Sequence, residues 1–230
     1  MFSRSGYSMT SWRSAGYVTY KPGTTITITD SLDLDAMWSS NFTYVYPTPK
    51  LNYNELPSPI ILDLDGNGVR TTNVENGVIF SYEGDNNRVR TAWADPNCGL
   101  LARDLNGNGQ IDNAAELFGN YTILENGEKA SNGFIALKEL DLNQDGTVDR
   151  EEAEKAGIFI WIDANTNAAV DPGEYLTFEE AGVLSIDTNY KVRNKTDENG
   201  NVHRWLGKFT RSDGSKAAAE DILFMTVDLN

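Results

Sequence analysis

Cysteine and histidine are almost absent: the 230 residues hold one of each, Cys98 and His203. A single cysteine excludes an internal disulfide framework and a thiolate zinc site. A single histidine excludes a multi-histidine metal centre, and its distance in sequence from Cys98 argues against a Cys–His nucleophile pair. The two read instead as a partly buried thiol and an ordinary surface imidazole. Long apolar runs are missing too, so no segment reads as a bilayer-spanning helix. The opening "MFSRSGYSMTSWRSAGYVTY" lacks the apolar centre of a secretory signal. The chain then stays inside the cell, leaves by a route without a cleaved N-terminal signal, or is a piece of something larger.

Positive charge is scarce. Nineteen Lys and Arg face 34 Asp and Glu, a net charge of −15. Residues 1–58 are balanced, with Asp30, Asp33, Asp35 and Glu55 against Arg4, Arg13, Lys21 and Lys50. The acidic surplus therefore lies in residues 59–230. It argues against nucleic acid and anionic membrane as partners, since both need a basic face. It favours cations, with solvated surface charge as the competing reading.

What is present divides into two textures. Residues 1–58 are rich in Ser, Thr and Tyr; "TTITITD" (24–30) and "NFTYVY" (41–46) read as strands, and "PTPKLNYNELPSP" (47–59) as a proline-rich linker. From residue 59 onward, strands are expected at 59–63, 77–82, 88–93, 158–162, 183–190, 203–210 and 221–229. Short helices are expected at 113–118, 132–140, 149–157 and 177–182. The expected fold class is α+β, with short strands and short helices organised around EF-hand-like calcium loops. The expected domains are a β-rich segment (1–58) and a calcium-binding module (59–230).

Asp/Asn/Gly loops recur between these elements. "DLNQDGTVDREE" (141–152) supplies an oxygen at every position that a twelve-residue calcium loop requires: Asp141, Asn143, Asp145, Thr147 through its carbonyl, Asp149 and Glu152, with Gly146 at the sharp turn. So many oxygens at flexible distances suit a large hard cation; magnesium wants a tighter octahedron, and zinc wants nitrogen or sulfur. A polar connector between helices is the alternative. "DANTNAAVDPGE" (163–174) repeats the pattern with Asp163, Asn165, Asn167, Ala169, Asp171 and Glu174, but carries Ala168 where glycine belongs. Position 8 is Val148 in one loop and Val170 in the other, and the pair is expected to form a short bridge. "DLNGNGQIDNAAE" (104–116) offers Asp104, Asn106, Asn108, Gln110, Asp112 and Glu116, the glutamate one place late. A shape-only Asn-Gly turn is the competing reading there. "DLDGNG" (63–68) offers Asp63, Asp65 and Asn67 without a matching carboxylate, since Val74 stands at position 12. "SYEGDNN" (81–87) reads as a worn site with a structural role. Two to four calcium ions are expected.

"PIILDLDGNGV", "TAWADPNCGLLARDLNGNGQIDNAAELFG", "GFIALKELDLNQDGTVD", "FIWIDANTNAAVDPGEYLTFEEAGVLSIDTNY" and "FTRSDGSKAAAEDILF", taken in order, resemble the self-processing module of FrpC-like RTX (repeat-in-toxin) proteins. The likeness covers about residues 59–228. It implies a bacterial protein exported by type I secretion without an N-terminal signal and folded by calcium outside the cell. It also implies cleavage of an Asp-Pro bond at the module's N-terminal edge. There the aspartate carboxylate attacks its own carbonyl, and the cyclic anhydride is hydrolysed or captured by a lysine amine. The matching proline is Pro59, and the residue before it is Ser58, which has no carboxylate. The other Asp-Pro pairs, at 95–96 and 171–172, lie inside the module. The resemblance thus implies a calcium-folded module that lacks the cleaving residue. A calcium-triggered autoprotease or cross-linker is one alternative, and an extracellular adhesion or partner-binding module is another.

Overall fold

The computed structural model describes residues 7–14, 19–20, 34–40, 56–82 and 88–229. The strand readings at 24–30 and 41–46, and most of the 81–87 loop, lie outside them. The chain divides into two units, Met1–Leu51 and Asn52–Asn230. In the first, strands β1 (Tyr7–Ser14), β2 (Thr19–Tyr20) and β3 (Leu34–Ser40) form an antiparallel sheet in the order β2-β1-β3.

The second unit is mostly β, which corrects the α+β expectation. Its strands are β4 (Ile60–Leu62), β5 (Val78–Ser81), β6 (Arg88–Thr91), β7 (Gly99–Ala102), β8 (Thr147–Asp149), β9 (Phe159–Trp161), β10 (Tyr175–Leu176), β11 (Val183–Asp187), β12 (Lys191–Thr196), β13 (Val202–Arg211), β14 (Lys216–Leu223) and β15 (Thr226–Asp228). Among the described residues there are two short α-helices, α1 (Gly133–Lys138) and α2 (Arg150–Ala156). Eight strands follow the order β10-β9-β7-β4-β14-β13-β11-β8, and β12 pairs with β13; β15-β6-β5 form a separate sheet. All these pairings are antiparallel.

The central strands explain the apolar runs. β4, β7 and β9 are buried along their whole length. Side chains alternate between faces in a strand, so each short run feeds two cores. Ile61, Leu100, Ala102, Phe159 and Trp161 enter a core completed by Phe80, Trp93 and Phe224. Ile60, Leu62, Leu101 and Ile160 enter a second core, completed by Phe134 and Leu137 of α1 and Ala153 of α2. Strands buried on both faces read as near-continuous hydrophobic stretches.

The helices are short because local chemistry stops them. Asn132 caps α1 by accepting from the N–H groups of Phe134 and Ile135. Asp149 and Glu152 form a reciprocal capping box at the start of α2, and Gly157 ends it in the left-handed region at φ 68°. The expected helix at 113–118 is a single 3-10 turn, Ala114–Glu116. The expected helix at 177–182 is a series of turns. The bridge expected between Val148 and Val170 does not form. Val148 pairs with Ile186 across β8 and β11. Val170 instead meets the 104–116 loop: its N–H donates to Gln110 Oε1 at 2.9 Å, and Gln110 Nε2 donates back to its carbonyl at 3.1 Å.

Candidate metal centre

Three loops close in the same way. Each opening aspartate accepts the backbone N–H groups of positions 5 and 6. Asp141 accepts from Asp145 at 3.1 Å and Gly146 at 2.9 Å. Asp163 accepts from Asn167 at 3.0 Å and Ala168 at 2.9 Å. Asp104 accepts from Asn108 at 3.3 Å and Gly109 at 2.8 Å. Position 5 repeats the device two residues on: Asn108, Asp145 and Asn167 accept from Gln110, Thr147 and Ala169. Gly146 takes φ +89° as the sharp turn requires, and Ala168 is driven to φ +57° in the same place.

The closing glutamates also agree. Glu152 accepts from Leu142 at 2.8 Å and from Asp149 at 3.2 Å, positions 2 and 9. Glu174 accepts from Ala164 at 2.9 Å and Asp171 at 3.1 Å, the same two positions. Glu116 accepts from Leu105 at 3.0 Å and Asp112 at 2.7 Å, again positions 2 and 9. Its extra residue is absorbed by the 3-10 turn, which Asn113 caps by accepting from Ala115 N–H. All three glutamates are buried.

These loops hang mainly on strands. The 104–116 loop follows β7, and the 163–174 loop lies between β9 and β10. Only the 141–152 loop runs between the two helices. Among the described residues, no three His, Cys, Asp or Glu form a metal-binding group. The donors are mixed: three or four carboxylates per loop, with amide and carbonyl oxygens beside them. In the 104–116 loop Asn106 and Asn108 donate their amides to Asp112 at 3.0 and 2.6 Å. In the 163–174 loop Asn165 and Asn167 donate to Asp171 at 2.7 and 2.9 Å. The all-oxygen set, once the amides turn their Oδ1 inward, fits a large hard cation.

The fourth loop is built differently. Asp63 accepts from Gly66 N–H at 2.9 Å, and Asp65 from Asn67 N–H at 3.0 Å. The Asp65 carboxylate also takes both guanidinium nitrogens of Arg70, at 2.8 and 3.2 Å, and Arg70 bridges to Asp95 at 3.0 Å. That guanidinium, with the Asn67 bonds, holds the Asp65 carboxyl well below the usual range.

Two contacts escape sequence reasoning. Trp93 Nε1 donates to Asp163 Oδ2 at 2.8 Å, and Trp161 Nε1 to Glu174 Oε2 at 3.4 Å. The two indoles touch edge-on, with centroids 5.7 Å apart. Burial, with the Glu174 charge adding to it, pushes the Asp163 carboxyl upward despite its N–H partners. His203 is not the surface imidazole expected. It is clamped between Glu220, at 2.5 Å from Nδ1, and Asp197, at 3.3 Å from Nε2. Burial alone would lower its pKa, but the two carboxylates outweigh it and raise it to about 9.

Ser58 and Pro59 are held at the N-terminal edge of the second unit. Ser58 N–H donates to Asn120 Oδ1 at 2.9 Å, and Asn120 Nδ2 donates to the Leu56 carbonyl at 2.8 Å. The Pro57 and Pro59 carbonyls accept from Phe224 and Ile222 N–H at 2.8 and 3.2 Å. On the other side Pro59 bridges to Gly119. A Cβ on Gly119 would stand 1.5 Å from the Ser58 carbonyl oxygen. The segment is buried and fixed on both flanks.

Comparison with known proteins assigns most of the second unit to one family. The SPM domain matches residues 60–225. The chain is 40% identical over 174 residues to the iron-regulated protein FrpA of Neisseria meningitidis serogroup C. That alignment covers 75% of this chain and 16% of the relative, so the chain spans about a sixth of that relative's length. Among the described residues, no helix is long and apolar enough to cross a membrane. The chain belongs to the SPM domain family.

Proposed function

We propose that the chain is a calcium-folded, non-cleaving module of a secreted RTX-like protein, binding one ion in each of the loops 104–116, 141–152 and 163–174. The observation that carries this reading is the shared closure of the three loops, in which Glu116, Glu152 and Glu174 make the same two backbone contacts. Membership of the SPM domain family and the similarity to FrpA support it.

In each loop the opening aspartate, the side chains at positions 3 and 5, the carbonyl at position 7 and the closing glutamate would hold the ion. A bound ion supplies positive charge where acids crowd. Residues 63–187 contain 24 of the 34 acids. The 63–68 loop is outside the assignment, because Arg70 already gives Asp65 its cation.

The energetics suit a folding switch. Extracellular calcium modules bind at roughly 10⁻⁴–10⁻³ M. An ion present at about ten times Kd stabilises the folded state by about 1.4 kcal/mol per site. Three such sites matter against a total stability of about 5–15 kcal/mol. Ser58 brings no carboxylate to the edge at Pro59, so the folded module stays whole.

Native mass spectrometry tests the assignment. The protein in calcium carries three ions, and Glu152→Gln carries two. A protein that stays free of metal at millimolar calcium overturns it.

A further inference from the structure

The 104–116 and 163–174 loops are joined by a two-point contact. Gln110 Oε1 accepts the N–H of Val170 at 2.9 Å, and Gln110 Nε2 donates to the Val170 carbonyl at 3.1 Å. Both partners sit among the ion-holding positions. Gln110 is position 7 of its loop, the one that offers a carbonyl, and its N–H donates to Asn108 Oδ1 of position 5 at 2.8 Å. Val170 is position 8 of the other loop, between Ala169, which offers the position 7 carbonyl, and Asp171 of position 9. Ile111, position 8 of the 104–116 loop, is buried in the core against which Ala168 and Val170 pack.

Peptide planarity makes this contact bear on the ion. The carbonyl of Ala169 and the N–H of Val170 belong to one rigid trans peptide and point in opposite directions. When Gln110 Oε1 takes that N–H, it sets the direction of the carbonyl offered to the ion. A cation on the carbonyl in turn polarises the peptide and strengthens its N–H as a donor. The 141–152 loop is tied to the sheet instead. Val148, at its position 8, pairs with Ile186 of β11. The Gly146 carbonyl accepts from Thr188 N–H at 3.0 Å and Thr188 Oγ1 at 3.1 Å, just beyond β11.

We infer that Gln110 couples the 104–116 and 163–174 loops into a pair that binds calcium cooperatively, with the 141–152 loop outside the pair. The inference rests on the reading above that these loops hold calcium. An ion in either loop fixes that loop's end of the Gln110–Val170 contact, so the second ion meets a loop already arranged. Linkage makes the effect reciprocal: each ion raises the affinity for the other by the same factor. Gln110 acts here as a positioning residue through its side chain, separately from its main-chain carbonyl.

Terbium is the probe, a hard trivalent cation that takes oxygen sites and emits when excited through a nearby indole. Trp93 and Trp161 donate to Asp163 and Glu174, so the 163–174 loop is the one reported. Glu174→Gln is expected to remove most of the sensitised emission. Glu116→Gln, which disables the partner loop, is expected to raise the terbium midpoint of the 163–174 loop about fivefold or more. Glu152→Gln disables the loop outside the pair, measures the coupling that runs through folding alone, and is expected to shift the midpoint less. In Gln110→Ala, which keeps the main-chain carbonyl, Glu116→Gln is expected to shift it no more than Glu152→Gln does. Gln110→Glu, which keeps an acceptor for Val170 N–H, is expected to retain part of the coupling. Circular dichroism of each variant reports its fold. A purely structural role for Gln110 would lower the melting temperature but leave the Glu116→Gln shift intact. Equal shifts from Glu116→Gln and Glu152→Gln overturn the pairing, and a Glu116→Gln shift that survives Gln110→Ala overturns the role of Gln110. Sensitised emission unaffected by Glu174→Gln overturns the calcium reading of that loop, and the inference with it.

Discussion

The indole N–H of Trp93 donates to Asp163 Oδ2 at 2.8 Å, tying a fully buried core residue to the first oxygen of a candidate ion loop. Seventy residues separate the two, and the contact joins loop 163–174 to the core under the β15-β6-β5 sheet. Trp161, on the strand that leads into the loop, holds the closing Glu174 in the same manner.

Tryptophan emission should therefore follow occupancy of that loop. Calcium titration is expected to shift the emission of the wild type, and Trp93→Phe is expected to lose most of the shift. The variant loses a hydrogen bond to a buried carboxylate, a destabilisation of about 1.5–3 kcal/mol. Chemical denaturation measures that loss. A calcium-bound protein with unchanged emission argues against coupling between loop and core.

Glu116 is expected to behave as Glu152 and Glu174 do, although it stands one residue late. Glu116→Gln, Glu152→Gln and Glu174→Gln should each remove a comparable share of the calcium-dependent rise in melting temperature. A rise insensitive to Glu116→Gln shows that the extra residue has spoiled the 104–116 loop.

His203 sets a pH dependence with a definite sign. Its pKa is raised from 6.5 to about 9 in the folded protein by Asp197 and Glu220. The imidazolium clamp is fully stabilising below about pH 6.5 and is lost as pH climbs through about 9. The melting temperature in saturating calcium is expected to fall over that interval. In His203→Gln, which cannot take the charge, the fall should be much reduced.

Gly119→Ala is expected to destabilise the second unit severely, because the new Cβ would meet backbone at 1.5 Å from the Ser58 carbonyl oxygen. Overpacking costs about 1–3 kcal/mol where neighbours can yield, and here backbone pinned on both flanks must move. Urea midpoints for Gly119→Ala and a control such as Gly127→Ala, which has open space but a positive φ, separate crowding from backbone strain. A milder effect at Gly119 contradicts the pinned edge.

Legibility followed the range of the contacts. β4, β5, β6, β9, β11 and β13 were readable, because apolar alternation and short buried runs are local signals. The Asp/Asn stretches are legible as turns for the same reason, since Asp and Asn at every second residue is a local pattern. β12 was not, because every residue of "KVRNKT" is exposed and only its pairing with β13 makes it a strand. β7 was hidden in an Asp/Asn-rich stretch, although "GLLA" is buried throughout. The fold class departs from α+β because the two capped helices, of six and seven residues, are too short to organise the molecule, and antiparallel strands do so instead. The partner of Val170 could not be seen, since Gln110 lies 60 residues away. The clamp around His203 likewise depends on strand pairing rather than on neighbours in sequence.

The central claim, that calcium folds this chain, is tested most directly by circular dichroism and thermal unfolding of one sample in EDTA and after calcium is added back. The account predicts a weakly structured or low-melting protein in EDTA. It predicts β-rich spectra and a melting temperature that rises with calcium through the millimolar range. Identical spectra and identical melting curves in EDTA and in calcium would contradict it.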